Sequence, residues 1–108
     1  MWLFGDDERV LASAEVASTR RTRRRGLLGQ RSYDGAFVLP RTRSVHTLGM
    51  KFALDVAYLD ADGLVVDVRR MPPWRIGLPR WRAHSVIEAE AGAFERWSLC
   101  VGDRVEVR

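Results

Sequence analysis

Short runs of alternating apolar and polar residues, separated by glycine, proline and aspartate, make up most of the chain. The runs that predict strands are 9–18, 35–40, 52–60, 63–70, 85–92 and 103–108. The segments that predict short helices are 19–30 and 92–99. Because strands predominate, we expect a mainly-β fold: a compact antiparallel β-sandwich or barrel-like single domain with one or two short helices, over residues 1–108.

The predicted strand 52–60 carries a carboxylate, Asp55, in its middle. Extended backbone places Asp55 on the same face as Ala57, among small and apolar residues, because alternate side chains point to opposite faces. An ionised carboxylate in such a place needs hydrogen bonds or an ion pair. We therefore favour Asp55 as a structural tether, with Arg24 or Arg25 as its expected partner. A polar anchor at the floor of a ligand pocket is the alternative.

The segment 71–85, MPPWRIGLPRWRAHS, is long for a connection in so small a domain. Its three prolines argue against disorder. Trp74 and Trp81, interleaved with arginines, could form a lid or stacking surface, or could pin the loop to the barrel. The candidate ligand-binding residues, from this loop and the strand region before it, are His46, Met50, Asp55, Trp74, Arg75 and Trp81.

A cluster of arginines lies in the predicted helix 19–30, and the formal net charge of the chain is +4. The candidate residues for contact with an anionic surface are Arg20, Arg21, Arg23, Arg24 and Arg25. Such a cluster is suggestive of polyanion binding, but we favour a solvated helix in which one or two arginines pair with acids of the protein. No aromatic stacking motif accompanies the cluster, so we do not expect nucleic acid to be the partner.

The composition limits the class of protein further. A chain of 108 residues with 46% hydrophobic residues is typical of one globular domain. No apolar run is long enough to span a bilayer, and the start does not resemble a signal peptide, so we expect a cytoplasmic protein. His46, His84 and Cys100 are too scattered for a metal site, and we expect neither metal nor cofactor. Cys100 lies between two apolar residues, which favours a buried thiol.

Four motifs occur in a characteristic order along the chain. They are RRRGLLGQ (23–30), VHTLGMKFALDVAYLDADGLVVDV (45–68), VIEAEAG (86–92) and VGDRVEV (101–107). Together they resemble domain-of-unknown-function family 192 over about residues 8–108, and the segment 46–50 is similar to its His-Thr-x-Gly-Met branch. The resemblance implies a compact mainly-β fold and no particular activity.

These observations favour a module that binds a small molecule or a protein partner. They favour it over an enzyme because no nucleophile or oxyanion-hole motif is present. An enzyme that acts on a small or sugar-like substrate through Asp55 and His46 is the first alternative. Binding of nucleic acid or an anionic surface by the Arg20–Arg25 cluster is the second. The sequence does not indicate an oligomeric state.

Overall fold

A computed structural model describes all 108 residues and contains seven strands, two short α-helices and one 3-10 turn. In chain order the elements are β1 (Trp2–Phe4), the 3-10 turn (Asp6–Glu8), β2 (Val10–Val16), α1 (Arg20–Arg25), β3 (Ala36–Pro40), β4 (Leu54–Leu59), β5 (Val65–Met71), β6 (Ser85–Glu90), α2 (Ala93–Trp97) and β7 (Glu106–Val107). Each predicted strand overlaps an observed strand, β5 extends one residue beyond its predicted range, and β1 is additional.

The strands form one sheet in the order β5-β4-β6-β3-β2-β1-β7. The mainly-β class with two short helices is confirmed. The sheet does not close into a barrel, because its end strands β5 and β7 are not paired with each other. It is also not wholly antiparallel: β2 and β3 run parallel, with α1 in the connection between them.

Two buried clusters form the core. Ala57 of β4 belongs to the cluster that contains Phe94 of α2. Val56, the preceding residue of β4, belongs to a second cluster that contains Leu27, just after α1. Since successive side chains of a strand point to opposite faces, the two clusters lie on opposite faces of the sheet. All six residues of β4 are buried, so this strand is covered on both sides.

The same alternation puts two carboxylates on opposite faces. Asp55 lies on the face of Ala57, as the sequence predicts, and α2 packs against this face. Glu88 of β6 follows the alternation of Val86, which belongs to the cluster near Leu27. Both are buried, with 4% of each residue exposed. The fold therefore holds one buried carboxylate on each side of its central strands.

Helix α1 is shorter than the predicted segment 19–30. Thr19 caps its start: the Thr19 hydroxyl accepts a hydrogen bond from the Thr22 backbone N–H at 3.1 Å. Gly26 ends the helix with φ of +53° and ψ of −130°, a conformation that is open almost only to glycine. No residue of α1 itself is buried, and Leu27, only 1% exposed, fixes the end of the helix to the core.

Candidate functional site

Both carboxylate oxygens of Asp55 are bound by the protein. Oδ1 accepts a hydrogen bond from Arg70 Nε at 3.1 Å, which is also an ion pair. Oδ2 accepts hydrogen bonds from the backbone N–H groups of Gly92 at 2.9 Å and Phe94 at 3.2 Å. These contacts tie β4 to the neighbouring strand β5 and to the start of α2.

The partner expected for Asp55, Arg24 or Arg25, is wrong. Arg70 is the partner because the antiparallel pairing of β4 with β5 places Arg70 directly opposite Asp55. Arg24 and Arg25 lie in α1, which belongs to the other side of the sheet and lines a cavity there.

A cavity of about 500 Å³ opens between α1, the segment after β3 and the face of the sheet that carries Glu88. We call it the Glu88 cavity. Its walls combine apolar side chains of the core, such as Leu39 and Leu54, with arginines. The arginines that line it are Arg20, Arg23, Arg24, Arg25, Arg41 and Arg43. Four of them belong to the cluster identified in the sequence; Arg21 does not line the cavity.

The structure divides the six candidate ligand-binding residues into separate groups. His46, which is exposed, and Met50, which is buried, line the Glu88 cavity. Asp55 does not line the Glu88 cavity, because it faces α2 and its oxygens are occupied. His46 and Asp55 are therefore not brought together, which removes the geometric basis for acid–base chemistry shared by these two residues.

The remaining three candidates, Trp74, Arg75 and Trp81, lie in the β5–β6 loop outside the Glu88 cavity. Trp74 is 66% exposed and Trp81 is 80% exposed. They therefore do not pin the loop to the sheet. Arg75 lines a separate cleft of about 360 Å³ beside Tyr58.

Sequence reasoning missed Glu88, which is the polar group at the floor of the cavity. Its Oε1 atom is buried and has no hydrogen-bond partner. Burial raises the pKa of the Glu88 carboxyl to about 7. The alternation of the strand 85–92 already places Glu88 beside Val86 on one face, and a carboxylate on an apolar face is the signal that could have found it.

Gly26 brings the backbone close to this carboxyl group. A Cβ at this position would lie 3.0 Å from Glu88 Oε1. Any other residue would therefore crowd Glu88 as well as strain the backbone at positive φ. Glycine at the end of α1 thus allows the helix to lie directly over the floor of the cavity.

None of the six arginines that line the cavity forms an ion pair within the protein. Arg25 Nε donates to the Leu28 carbonyl at 3.2 Å, and Arg43 Nε donates to the Ala83 carbonyl at 3.3 Å. Their remaining N–H groups, and those of the other four, have no carboxylate partner. The arrangement is a concave, positively charged site with one buried acid beneath it.

Thr47 holds the β5–β6 loop in place. It is fully buried, and its hydroxyl donates to the Pro72 carbonyl at 2.6 Å and accepts from the Arg75 N–H at 2.9 Å. The backbone N–H of Thr47 donates to the Arg75 carbonyl at 2.7 Å, and the Trp74 N–H donates to the Thr47 carbonyl at 2.8 Å. Polar contacts therefore order this loop while its tryptophans stay outside.

Replacing Thr47 with valine is expected to lower the free energy of unfolding by about 1–2 kcal/mol, since two part-buried backbone groups lose the hydroxyl with which they form hydrogen bonds. Urea unfolding followed by circular dichroism measures the change. Thr42→Val is the matched control, because the Thr42 hydroxyl makes only one contact, to the Pro40 carbonyl at 3.0 Å. A loss no larger for Thr47→Val than for this control would contradict the anchoring role.

Cys100 is exposed, so the expectation of a buried thiol is wrong. The reason is its place in the turn between α2 and β7, where its backbone N–H donates to Asp103 Oδ2 at 2.9 Å. The charge of Asp103 raises the pKa of the Cys100 thiol, so a smaller fraction of the thiol is ionised at neutral pH. The protein contains no group of three or more His, Cys, Asp or Glu side chains that could hold a metal ion.

The fold and the site together define a small mainly-β domain with an arginine-lined cavity. The model of family DUF192, described as Uncharacterized ACR, COG1430, matches residues 3–107. The chain therefore belongs to this uncharacterised family, which confirms the resemblance seen in the motifs.

Two relatives illustrate the family. The UPF0127 protein PF1050 of Pyrococcus furiosus is 43% identical over 74 residues, which are 65% of this chain and 64% of the relative. A UPF0127 protein of Thermococcus sibiricus is 34% identical over 98 residues, which are 85% of this chain and 64% of the relative. The chain thus matches about 64% of the length of these relatives.

Two solved structures share the fold. A protein of unknown function from Novosphingobium aromaticivorans superposes with a TM-score of 0.81 at 21% identity, over 98% of this chain and 82% of that one. A putative transcription regulator from Sinorhizobium meliloti superposes with a TM-score of 0.79 at 21% identity, over 97% of this chain and 89% of that one. Among the helices of the present protein, none has the length and apolar character required to cross a bilayer.

Proposed function

We propose that the protein is a ligand-binding module and that the Glu88 cavity is its binding site. The observation that carries this proposal is a carboxyl group, 4% exposed, with an oxygen that has no partner at the floor of a cavity lined by arginines. Unpartnered buried polar atoms are rare in folded proteins because each one costs free energy. A ligand that donates a hydrogen bond to Glu88 would offset that cost.

The position of the arginines supports a ligand rather than an internal ion pair. Six guanidinium groups line the cavity, yet Glu88 accepts no hydrogen bond from any of them. A purely structural acid in such surroundings would be expected to pair with one, as Asp55 pairs with Arg70. The acid and the bases are instead held apart, so that both remain free to contact a third molecule.

The chemistry of the walls indicates the class of ligand. Arginine binds phosphate and carboxylate groups in a bidentate manner, so the rim suits an anion. The floor suits a hydroxyl or ammonium group that can donate to Glu88. Leu39, Met50 and Leu54 offer apolar contact between the two. A volume of about 500 Å³ is that of a site for a small molecule. A small phosphate or carboxylate that also carries hydroxyl groups fits all three features.

Binding of defined probes tests the proposal. Calorimetry with glucose 6-phosphate, citrate, glucose and inorganic phosphate separates the contribution of the anion from that of the hydroxyls. We expect the probes that carry both groups to bind more tightly than glucose or phosphate alone. Arg23→Ala and Glu88→Gln are each expected to weaken that binding at least about tenfold, the factor that corresponds to ~1.4 kcal/mol.

Arg21→Ala is the matched control, because Arg21 lies in the same helix but does not line the cavity. It removes the same charge and should leave the affinity within about twofold of the original protein, apart from the general effect of net charge. Equal losses for Arg21→Ala and Arg23→Ala would show that the arginines act only as a diffuse field. Unchanged affinity in Glu88→Gln would contradict the role of the cavity floor.

A further inference from the structure

The loop between β5 and β6 exposes an unusual amount of apolar surface. Nine large hydrophobic side chains of the chain are exposed, and the four most exposed of them all lie in this loop. They are Trp74 at 66%, Ile76 at 73%, Leu78 at 75% and Trp81 at 80%. Isolated exposed apolar residues are ordinary, but a cluster of this kind within eight consecutive positions marks an interaction surface.

The loop is ordered without help from these side chains. Thr47 holds its first part, and the Gly77 N–H donates to the Val45 carbonyl at 2.8 Å. Arg80 holds the second part: its Nε donates to Asp67 Oδ2 at 2.9 Å, and its guanidinium lies 4.6 Å from the centre of the Tyr58 ring. A framework of polar contacts thus presents apolar side chains outward, so the exposure is not that of a loose segment.

The charge around these side chains has one sign. From residue 68 to residue 87 the sequence contains five arginines and no aspartate or glutamate. Arg80 is bound to Asp67 within the protein, but Arg75 and Arg82 are exposed and lie between or beside the apolar residues. Of the two acids that flank this stretch, Asp67 is paired with Arg80 and with Arg69, and Glu88 is buried. The surface is therefore apolar at its centre and basic around it.

We propose that this loop docks on the surface of an anionic lipid bilayer, an interaction separate from ligand binding in the Glu88 cavity. Tryptophan favours the boundary between headgroups and acyl chains, while Ile76 and Leu78 would enter the acyl region. Arg75 and Arg82 would contact the lipid phosphates, to which exposed arginines are attracted near a negative surface. Each of the four apolar residues is about two thirds or more exposed, so their side chains project from the protein and do not line a groove. This arrangement suits insertion into lipid better than binding of a peptide.

Flotation with vesicles tests the proposal. The protein is mixed with vesicles of phosphatidylcholine alone, or of phosphatidylcholine with phosphatidylglycerol, at low and high salt. We expect it to float with the mixed vesicles, to bind those of phosphatidylcholine at least tenfold more weakly, and to lose affinity as salt screens the arginines. In the variant Trp2→Phe, the tryptophan emission should shift to shorter wavelength when mixed vesicles are added.

Two double variants and a control separate the contributions. Leu78→Ser with Trp81→Ser should reduce binding to mixed vesicles at least tenfold, and Arg75→Glu with Arg82→Glu should remove the preference for phosphatidylglycerol. Trp2→Ser with Val101→Ser is the control, because these residues are 54% and 57% exposed but lie outside the loop. All these side chains are exposed, so thermal melting should be unchanged.

Three outcomes would overturn the proposal. The first is an absence of flotation. If sedimentation velocity then shows a dimer that the Leu78→Ser and Trp81→Ser variant abolishes, the loop binds a second copy of the chain. The second is equal flotation of this variant and the control. The third is complete competition by free glycerol phosphate, which would show binding of a phosphate group and not of a bilayer.

Discussion

Replacing Asp55 with alanine is expected to lower the free energy of unfolding by about 3 kcal/mol, because the half-buried N–H of Gly92 and the buried N–H of Phe94 both lose their acceptor, at a cost of ~1–3 kcal/mol for each buried group. The ion pair contributes less than these two bonds. The Arg70 side chain is 57% exposed and can return to water when Asp55 is absent. Urea unfolding at neutral pH, followed by circular dichroism, gives the value.

Two further variants divide the contributions of Asp55. Arg70→Met removes the ion pair alone and should cost less than about 1 kcal/mol, as exposed pairs do. Asp55→Asn keeps one oxygen as an acceptor and should fall between the two. If Arg70→Met proves as damaging as Asp55→Ala, the ion pair is the main contribution of Asp55, and its bonds to the start of α2 are secondary.

The sequence predicts that Asp55 acts as a structural tether. It also limits the possible partners of Asp55 to a few residues of the next strand. Strand alternation gives its face, and the Asp60–Gly63 hairpin also restricts its neighbours. Counting outward from that turn, with Leu59 opposite Leu64, places Asp55 opposite Val68. In the structure Leu59 pairs with Val65 and the register shifts again between Tyr58 and Leu59, so that Asp55 lies opposite Arg70. The hairpin therefore limits the partner to this part of β5, and the irregularity decides which residue it is. The expectation of Arg24 or Arg25 rests on abundance of charge, which carries no information about position.

The order of the predicted elements indicates the direction of two strands as well as the fold class. A strand at 9–18, a helix at 19–30 and a strand at 35–40 form a strand–helix–strand sequence, and such a connection is typical of parallel neighbours. The observed pairing of β2 with β3 is parallel. By contrast, β1 has three residues, too few for a periodic signal, and it is defined by its partners β2 and β7.

The Glu88 cavity could not be predicted in the same way. The alternation of 85–92 places Glu88 and Val86 on one face, but it does not say what covers that face. The cover depends on β6 lying between β3 and β4, and on the end of α1 passing over it at Gly26. These are contacts between segments that are distant in sequence, so the arginine cluster and the acid remain unrelated until the chain is folded.

Replacing Glu88 with glutamine is expected to raise the free energy of unfolding, and the gain should depend on pH. Burial raises the pKa of Glu88 to about 7 from the ordinary value of 4.5, so the folded state holds the proton more tightly than the unfolded state. The stability of the original protein therefore falls as the pH rises from 4.5 to about 7, and the penalty is complete above that range. The variant has no proton to lose. Its advantage should be below about 1 kcal/mol at pH 5 and up to about 3 kcal/mol at pH 8, from ~1.4 kcal/mol for each pH unit between the two pKa values.

Unfolding in urea at both pH values measures this difference, and Glu90→Gln serves as the control. Glu90 follows in the same strand, is only half-buried and accepts a hydrogen bond from the Tyr33 N–H at 3.4 Å, so its replacement shows the effect of removing a carboxylate that has a partner. If Glu88→Gln has the same effect at pH 5 and pH 8, an arginine of the cavity forms an ion pair with the Glu88 carboxylate in the folded protein. A gain in stability together with a loss of ligand affinity would set Glu88 apart from Asp55. Removing an acid that holds the fold together lowers the stability of the protein, whereas removing an acid that serves a ligand raises it.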